Sequence, residues 1–417
     1  MNRNIARSAN TKFFMRASGI GEGYQSGSSG QINNAVIVDG VTFTTLAAAW
    51  AYVVANPYIH DLWLGAGTWN ITAPLVEPTG SCVSIHGAGP GAQTSIYAAA
   101  SMPAMIYEGA SPTGAADDCE ISNIHFNGGQ NAQRILDLPY GVHWKIHDNL
   151  FRNIAPSGTS LVRLGTTGSI SSNFFEASVY NNKFEAPSSD YSAFSSVPLY
   201  DLEIQSGVTD SYFCSNVYYN AQTANVYDIG ANNQHSLEHA YGYPQAYYAH
   251  YGFWLGGGQH RVSDSYSDGV TVAGYHIDQD HQTLVGNQCY WQPSTAGSSS
   301  CIEVASGVNT WALLGQDDEN LGTGGRISYL GATPANQTVQ YEGSLYAQDI
   351  YSGGMSSSNH VCTAANASTV CPGMTGPQGP AGPQGATGAT GPAGGIAGGG
   401  CKSPDMDGAE PITAVDL

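Results

Sequence analysis

One short phrase recurs along the middle of the chain and restricts the fold more than any other feature. It consists of an apolar pair or triplet, an Asn-containing turn, an aromatic residue and a second small polar turn. Its copies are CEISNIHFNG, WKIHDNLFRN, ASVYNNKFEA, SYFCSNVYYN and TLVGNQCYW. Phe126 and Phe151 are 25 residues apart, Phe151 and Phe184 are 33 apart, and Phe184 and Tyr218 are 34 apart. A coil period in the twenties, lengthened at some turns, suits a parallel β-helix, whose inward apolar residues stack from coil to coil. In such a coil Asn149, Asn182, Asn216 and Asn287 stack as amide ladders or hold left-handed turns, and are not read as catalytic.

A second periodicity follows. From Gly373 to Gly394 glycine takes every third position through GMT GPQ GPA GPQ GAT GAT GPA G, with Pro377, Pro380, Pro383 and Pro392 each directly after a glycine. Only Gly fits the axis of three wound polyproline II chains, so this segment predicts a short collagen triple helix and a homotrimer. A helix this short is marginal alone, which requires the β-helix to hold the trimer as well.

The chain has only 11% charged residues beside 53 Gly and 25 Tyr, which favours turns and close-stacked backbone over amphipathic helices. LAAAWAYVVA, from Leu46, is the one convincing helical stretch, with Thr44 and Thr45 as N-cap candidates. The formal net charge of -20 repels phosphate backbones and anionic bilayers, so neither nucleic acid nor membrane insertion is expected. No signal-peptide core or transmembrane run is present, so no Sec-type export is expected. Arg3, Arg7, Lys12 and Arg16 make the first residues basic, either as a solvated terminus or as a docking peptide for an acidic assembly partner. The cysteines are too sparse for a disulfide scaffold and lack zinc-site spacing, so most are read as buried, unreactive thiols. Cys401, just after the collagen-like segment, and Cys362 and Cys371 before it are set apart as candidates for inter-chain bridges.

The segment VIVDGVTFTTLAAAWAYVVANPYIHDLWLGAGTWNITAPLVEPTGSCVSIHGAGPG resembles the entry of the pectate-lyase-like β-helix superfamily. There a short helix caps the coil, a lead-in strand follows, and a G-x-G turn closes the next strand. Here Gly65, Gly67 and Trp69 stand at the lead-in pattern and His86-Gly87-Ala88-Gly89 at the turn. The resemblance implies an all-β chain: a single-stranded, right-handed parallel β-helix with an N-terminal capping helix, followed here by the C-terminal collagen-like triple helix. The corresponding divisions are an N-terminal arm at 1–35, the β-helix at 36–310, a C-terminal β region at 311–372, the collagen-like segment at 373–395 and a tail at 396–417. The superfamily includes polysaccharide lyases and hydrolases and bacteriophage tailspikes. With the basic arm and the trimeriser, the chain looks like a bacteriophage tailspike, tail fibre or capsid-attached fibre. That likeness implies a virion-surface protein assembled in the host cytoplasm, its arm fixed to virion structural proteins and its body facing a host-surface polysaccharide.

No catalytic residue transfers by motif, because R-x-P-x-x-R, NTD and GHG are all absent and neither Asp117-Asp118 nor Asp317-Asp318 has a GHG or RIK companion. Glycosidic hydrolysis needs two carboxylates, and residues i and i+2 of a strand share a face. Asp201 with Glu203, and Asp278 with Asp280 between His276 and His281, are the candidate pairs, set against the alternative of a solvated acidic strand or turn. A further alternative has the HIDQDH cluster bind a divalent cation. No cofactor or metal site is assigned. The segment YGYPQAYYAHYGFW carries Tyr241, Tyr243, Tyr247, Tyr248, Tyr251, Phe253 and Trp254, and is read as a glycan platform, a subunit interface or plain core. The leading expectation is a glycan-binding adhesin, the alternatives being a polysaccharide depolymerase and a purely structural virion decoration.

Overall fold

The structure is a computed structural model. It describes most of residues 35–340, the longer gaps being 109–117, 168–173, 187–196, 243–248, 291–299, 320–326 and 331–337. The described strands all belong to one compact unit, which ends at Tyr341. The basic arm, the collagen-like segment, the tail, Cys362, Cys371 and Cys401 lie outside the described residues.

Every named strand pairing is parallel, and the strands fall into three long sheets and one short one. The first sheet runs from Ala35–Val38 to Thr338–Gln340, the second from Gly67–Ile71 to Asp317–Glu319, and the third from Leu75–Glu77 to Ile327–Tyr329. Each coil gives one strand to each sheet, which makes a right-handed parallel β-helix. The short sheet, Gly141–Val142, Phe174–Phe175 and Val208–Thr209, fills a corner of the longer coils. All three long sheets continue past residue 310.

A ten-residue helix, Leu46–Ala55, begins where Thr45 Oγ1 accepts the Ala48 N–H at 3.2 Å. Leu46, Ala49, Trp50 and Val53 are buried, and the Trp50 indole N–H donates to Val76 O at 3.0 Å. The helix so covers apolar residues of the first strands.

The repeated phrase forms the core. Register sets Phe126 beside Phe151, Phe151 beside Phe184 and Phe184 beside Tyr218, with ring centroids 5.4, 5.1 and 4.8 Å apart. The asparagines form the expected ladder. Asn149 donates through its backbone N–H and Nδ2 to Asn182 Oδ1, both at 3.1 Å, and Asn182 repeats this to Asn216 Oδ1 at 3.0 and 3.1 Å. Each such bond satisfies a buried amide that faces no water, the condition under which leaving it unmade is most expensive.

At the next coil the ladder changes chemistry. Glu238 takes the asparagine place and accepts from Asn216 Nδ2 at 2.9 Å and from the Tyr218 hydroxyl at 2.6 Å. His235, stacked on Phe213, bridges Glu238 at 2.7 Å and Asp228 at 2.9 Å through its two ring nitrogens. Carboxylates facing both nitrogens require both to donate, which makes the ring an imidazolium. Burial alone would lower the His235 pKa, but the Glu238 charge and the Asp228 hydrogen bond raise it. Asp228, His235 and Glu238 are all fully enclosed.

The expectation of unbridged cysteines is not met. Cys82 pairs with Cys119 and Cys289 with Cys301, at Cα separations of 6.1 and 5.6 Å. Coiling places residues from adjacent turns or facing sheets within bridging distance, a proximity that sequence spacing does not reveal. Gly274 leaves room for the second bridge, since a Cβ there would meet Cys289 Sγ at 2.7 Å.

Candidate functional site

The third sheet sets its outward side chains in one continuous file. Register places Asp137, Arg163, Glu203, Tyr227, Trp254, His276 and Glu303 side by side on successive coils. Their chain neighbours Leu138, Leu164, Ile204, Leu255, Ile277 and Val304 point into the core. A second outward file, three positions earlier on each strand, runs Tyr200, Ala224, Tyr251 and Ala273. The alanines leave room for the rings beside them. Tyr200 stacks on Tyr227 at 4.5 Å, and Tyr251 meets Trp254 edge-on at 4.9 Å. Trp254 lies 4.4 Å from His276 and 5.8 Å from Tyr227. The result is a half-exposed aromatic strip along the helix axis.

Polar groups close both ends of the strip. At one end Arg163 donates from Nε and NH2 to both Asp137 oxygens, each at 2.8 Å, and Arg134 stands 3.8 Å from both Asp137 and Glu203. Glu203 accepts from the Ser160 hydroxyl at 2.6 Å and from Gln205 Nε2. At the other end Glu303 Oε1 takes up His276 Nδ1 at 2.8 Å and the Tyr251 hydroxyl at 3.1 Å. Burial raises the Tyr251 phenol, and the charge and hydrogen bond of Glu303 raise it further, so at neutral pH it stays a donor.

No protein-family model and no curated protein matches the sequence. Among solved structures, the chain is similar to the ORF18 protein of Geobacillus virus E2, at 15% identity and a TM-score of 0.55, over 74% of this chain and 60% of that one. It is also similar to the tailspike of E. coli bacteriophage HK620 bound to a hexasaccharide (14%, TM-score 0.44, covering 76% and 63%). A third is the alginate lyase of Paenibacillus sp. FPU-7 (12%, TM-score 0.43, covering 72% and 98%). The likeness is one of fold, the parallel β-helix. The chain spans 60% of the length of the Geobacillus virus protein.

The β-helix gathers four of the sequence candidates, Glu203, Tyr251, Trp254 and Asp278, on or beside the strip. It divides both acidic pairs. The pairing register passes from Ser160–Tyr200 to Val162–Leu202, and the bend between them turns Asp201 and Leu202 both inward. Asp201 is fully enclosed, neither of its oxygens has a hydrogen-bond partner, and burial pushes its carboxyl well above the usual range. Asp201 therefore shares no face with Glu203. Asp278 and Asp280 fail as a strand pair because the strand ends at Ile277, and Asp280 lies in the turn before Gln282. His276 turns to Glu303, and no three His, Cys, Asp or Glu side chains among the described residues are arranged to hold a metal ion.

The aromatic segment is divided in the same way. Tyr241 belongs to the second sheet, Tyr251 and Trp254 to the third, and Phe253 points inward onto Tyr275 at 5.2 Å. Tyr243, Tyr247 and Tyr248 lie outside the described residues. Reading the sequence missed Tyr200, Tyr227, Glu303 and the arginines. Their signal was coil spacing from Trp254, visible only once the strand register is known.

On the first sheet, outward residues build an ionic row. Trp63 stacks on His86 at 4.3 Å and His147 on Tyr180 at 4.6 Å. Glu120 Oε1 lies between them, 3.2 Å from His86 Nδ1 and 3.1 Å from His147 Nε2, while His147 Nδ1 donates to Asp148 at 2.8 Å. Burial would lower His147, but the hydrogen bonds it donates to Asp148 and Glu120 push it up to about 9. The same contacts hold Glu120 well below the usual carboxylate range, against burial.

Proposed function

We propose that this chain is the protomer of a trimeric virion fibre or tailspike that binds a host-surface polysaccharide through the outer face of the third sheet. The observation that carries this reading is the ring sequence Tyr200, Tyr227, Tyr251 and Trp254, half-exposed and bounded by hydrogen-bonding side chains. Flat rings with polar edges suit the apolar faces and hydroxyls of sugars. Strand spacing of about 4.8 Å sets these four rings on three adjacent coils, along the path of an elongated chain. The fold shared with a virus protein supports a viral setting, and the in-frame glycines support three chains. The basic first residues would fix the trimer to virion structural proteins.

Binding without cleavage is the better supported form. Both Glu203 oxygens are occupied by Ser160 and Gln205, and Glu303 Oε1 by His276 and Tyr251, so these carboxylates are engaged as acceptors. The test is adsorption of the full-length protein to host cells and to their purified polysaccharide, with release of reducing ends followed in parallel. Tyr227→Ala with Trp254→Ala should lower adsorption at least tenfold while secondary structure by circular dichroism is kept. Undiminished adsorption by that variant would overturn the strip as the binding face, and release of reducing ends by the unaltered protein would establish a depolymerase instead.

A further inference from the structure

Tyr241, which the third-sheet strip leaves out, belongs to a separate groove on the outer face of the second sheet. The groove has a volume of about 530 Å³ and is lined by His239, Tyr241, Asp264, Tyr266, Gln288 and Tyr290, among others. This lies within the size range of small-ligand sites, roughly 300–1,000 Å³. Its residues come from three successive coils, with His239 beside Tyr266 and Tyr266 beside Gln288 in one file, and Tyr219, Tyr241, Asp268 and Tyr290 in the next.

The rings are arranged as walls rather than as a stack. Tyr266 meets His239 at 5.8 Å and Tyr241 at 5.9 Å, each at 62°, and His239 Nδ1 lies 3.1 Å from the Tyr241 hydroxyl. Tyr219 backs Tyr241 at 5.1 Å in a near-parallel stack, which fixes that ring in place. Gly286 keeps the groove open: its φ is +62°, and a Cβ there would meet Asp264 Oδ1 at 2.7 Å. The Asp264 carboxylate so keeps its place in the groove lining.

The charge pattern selects among sugars. Among the described residues no Lys or Arg lines the groove, and burial lowers the His239 imidazole below its ordinary value, which keeps it uncharged at neutral pH. Asp264 is at the rim, and Asp268 lies between Tyr241 and Tyr290 in the outward file. A uronate or other acidic sugar would enter without a cation to receive it and with two carboxyls nearby, a repulsive arrangement. A neutral pyranose instead offers an apolar face to Tyr241 or Tyr266 and hydroxyls to Asp264, Gln288 and His239. The third-sheet strip differs, since Arg134 and Arg163 stand at one of its ends.

We infer that the second-sheet groove is a separate saccharide site that takes an uncharged pyranose and rejects acidic sugars. The experiment uses full-length protein and saturation-transfer NMR with maltotriose, chitotriose and mannotriose as uncharged probes and trigalacturonic acid as the acidic one. At least one uncharged trisaccharide should give saturation transfer, and trigalacturonic acid should not compete with it. Tyr266→Ala with Tyr290→Ala should weaken that binding at least tenfold, whereas Tyr227→Ala with Trp254→Ala on the other face should leave it within twofold. Asp264→Asn, a surface change with little risk to folding, should weaken the uncharged ligand and relax the exclusion of the acid. The inference is overturned if no uncharged probe binds, if the Tyr266/Tyr290 variant binds normally, or if the acidic probe displaces the uncharged one from the unaltered protein. Loss of binding in the Tyr227/Trp254 variant alone would assign it to the strip and also reject the groove.

Discussion

The Tyr218 hydroxyl donates to Glu238 Oε1 at 2.6 Å in the middle of the β-helix, where both side chains are fully enclosed. Tyr218 continues a file of phenylalanines and Glu238 a ladder of asparagines, so an apolar column gains a hydroxyl at the coil before an amide column gains a carboxylate, and the two groups satisfy each other.

Tyr218→Phe keeps the ring and removes one donor from a buried carboxylate. The expected cost is on the order of 2 kcal/mol, the range for leaving a buried acceptor underused. Denaturant unfolding of the variant measures it, and an unchanged midpoint would show that Glu238 is adequately served by Asn216 and His235.

Asn216→Ala should cost more, about 3 kcal/mol or above, because several partners lose their bond together. Asn182 donates to Asn216 through both its backbone and its side chain, and Asn216 Nδ2 itself serves Val179 O and Glu238. Hydrogen exchange of the Asn182 and Val217 amides should rise first if the ladder opens there.

Alkaline pH should loosen the first sheet. The folded pKa of His147 is raised to about 9, above the ordinary value of 6.5, so its contribution is complete below pH 6.5 and is lost as pH rises through 9. The raised His235 acts in the same direction. The melting temperature should therefore fall between pH 6.5 and 9, and His147→Gln should flatten part of that fall. A profile identical in the variant would remove His147 from the account.

Reduction should weaken the coil at the Cys82–Cys119 and Cys289–Cys301 bridges. The Cys82–Cys119 bridge joins residues 37 apart, for which chain entropy gives about 3.8 kcal/mol, while the 12-residue separation of Cys289–Cys301 gives about 2.8 kcal/mol. Cys82→Ala with Cys119→Ala, melted beside the unaltered protein without reductant, gives the contribution of the Cys82–Cys119 bridge, and an unchanged melting temperature would show that the bridge adds no stability.

The coil was legible in the sequence because its signal is local and repeated: the phenylalanine file and the asparagine ladder stand where periodicity put them, and the helix stands on the apolar stretch behind Thr45. The outward chemistry was harder to read. Asp201 and Glu203 obey the two-residue rule on an ideal strand, but the bend at Leu202 breaks the alternation, and no residue type announces it. Glu303 and Tyr251 touch across 52 positions, and Trp63 and His86 share a stack through the register alone. Wherever a contact crosses coils, turn length decides it, and the insertions vary.

The files on the outer faces have a consequence for how such a protein changes. Each coil supports the next through the same backbone pairing, whatever side chain it shows to solvent. A duplicated coil would therefore extend a binding strip by one rung, about 4.8 Å, while the core repeats unchanged. Recognition on this scaffold can be edited in whole steps, by length as well as by residue.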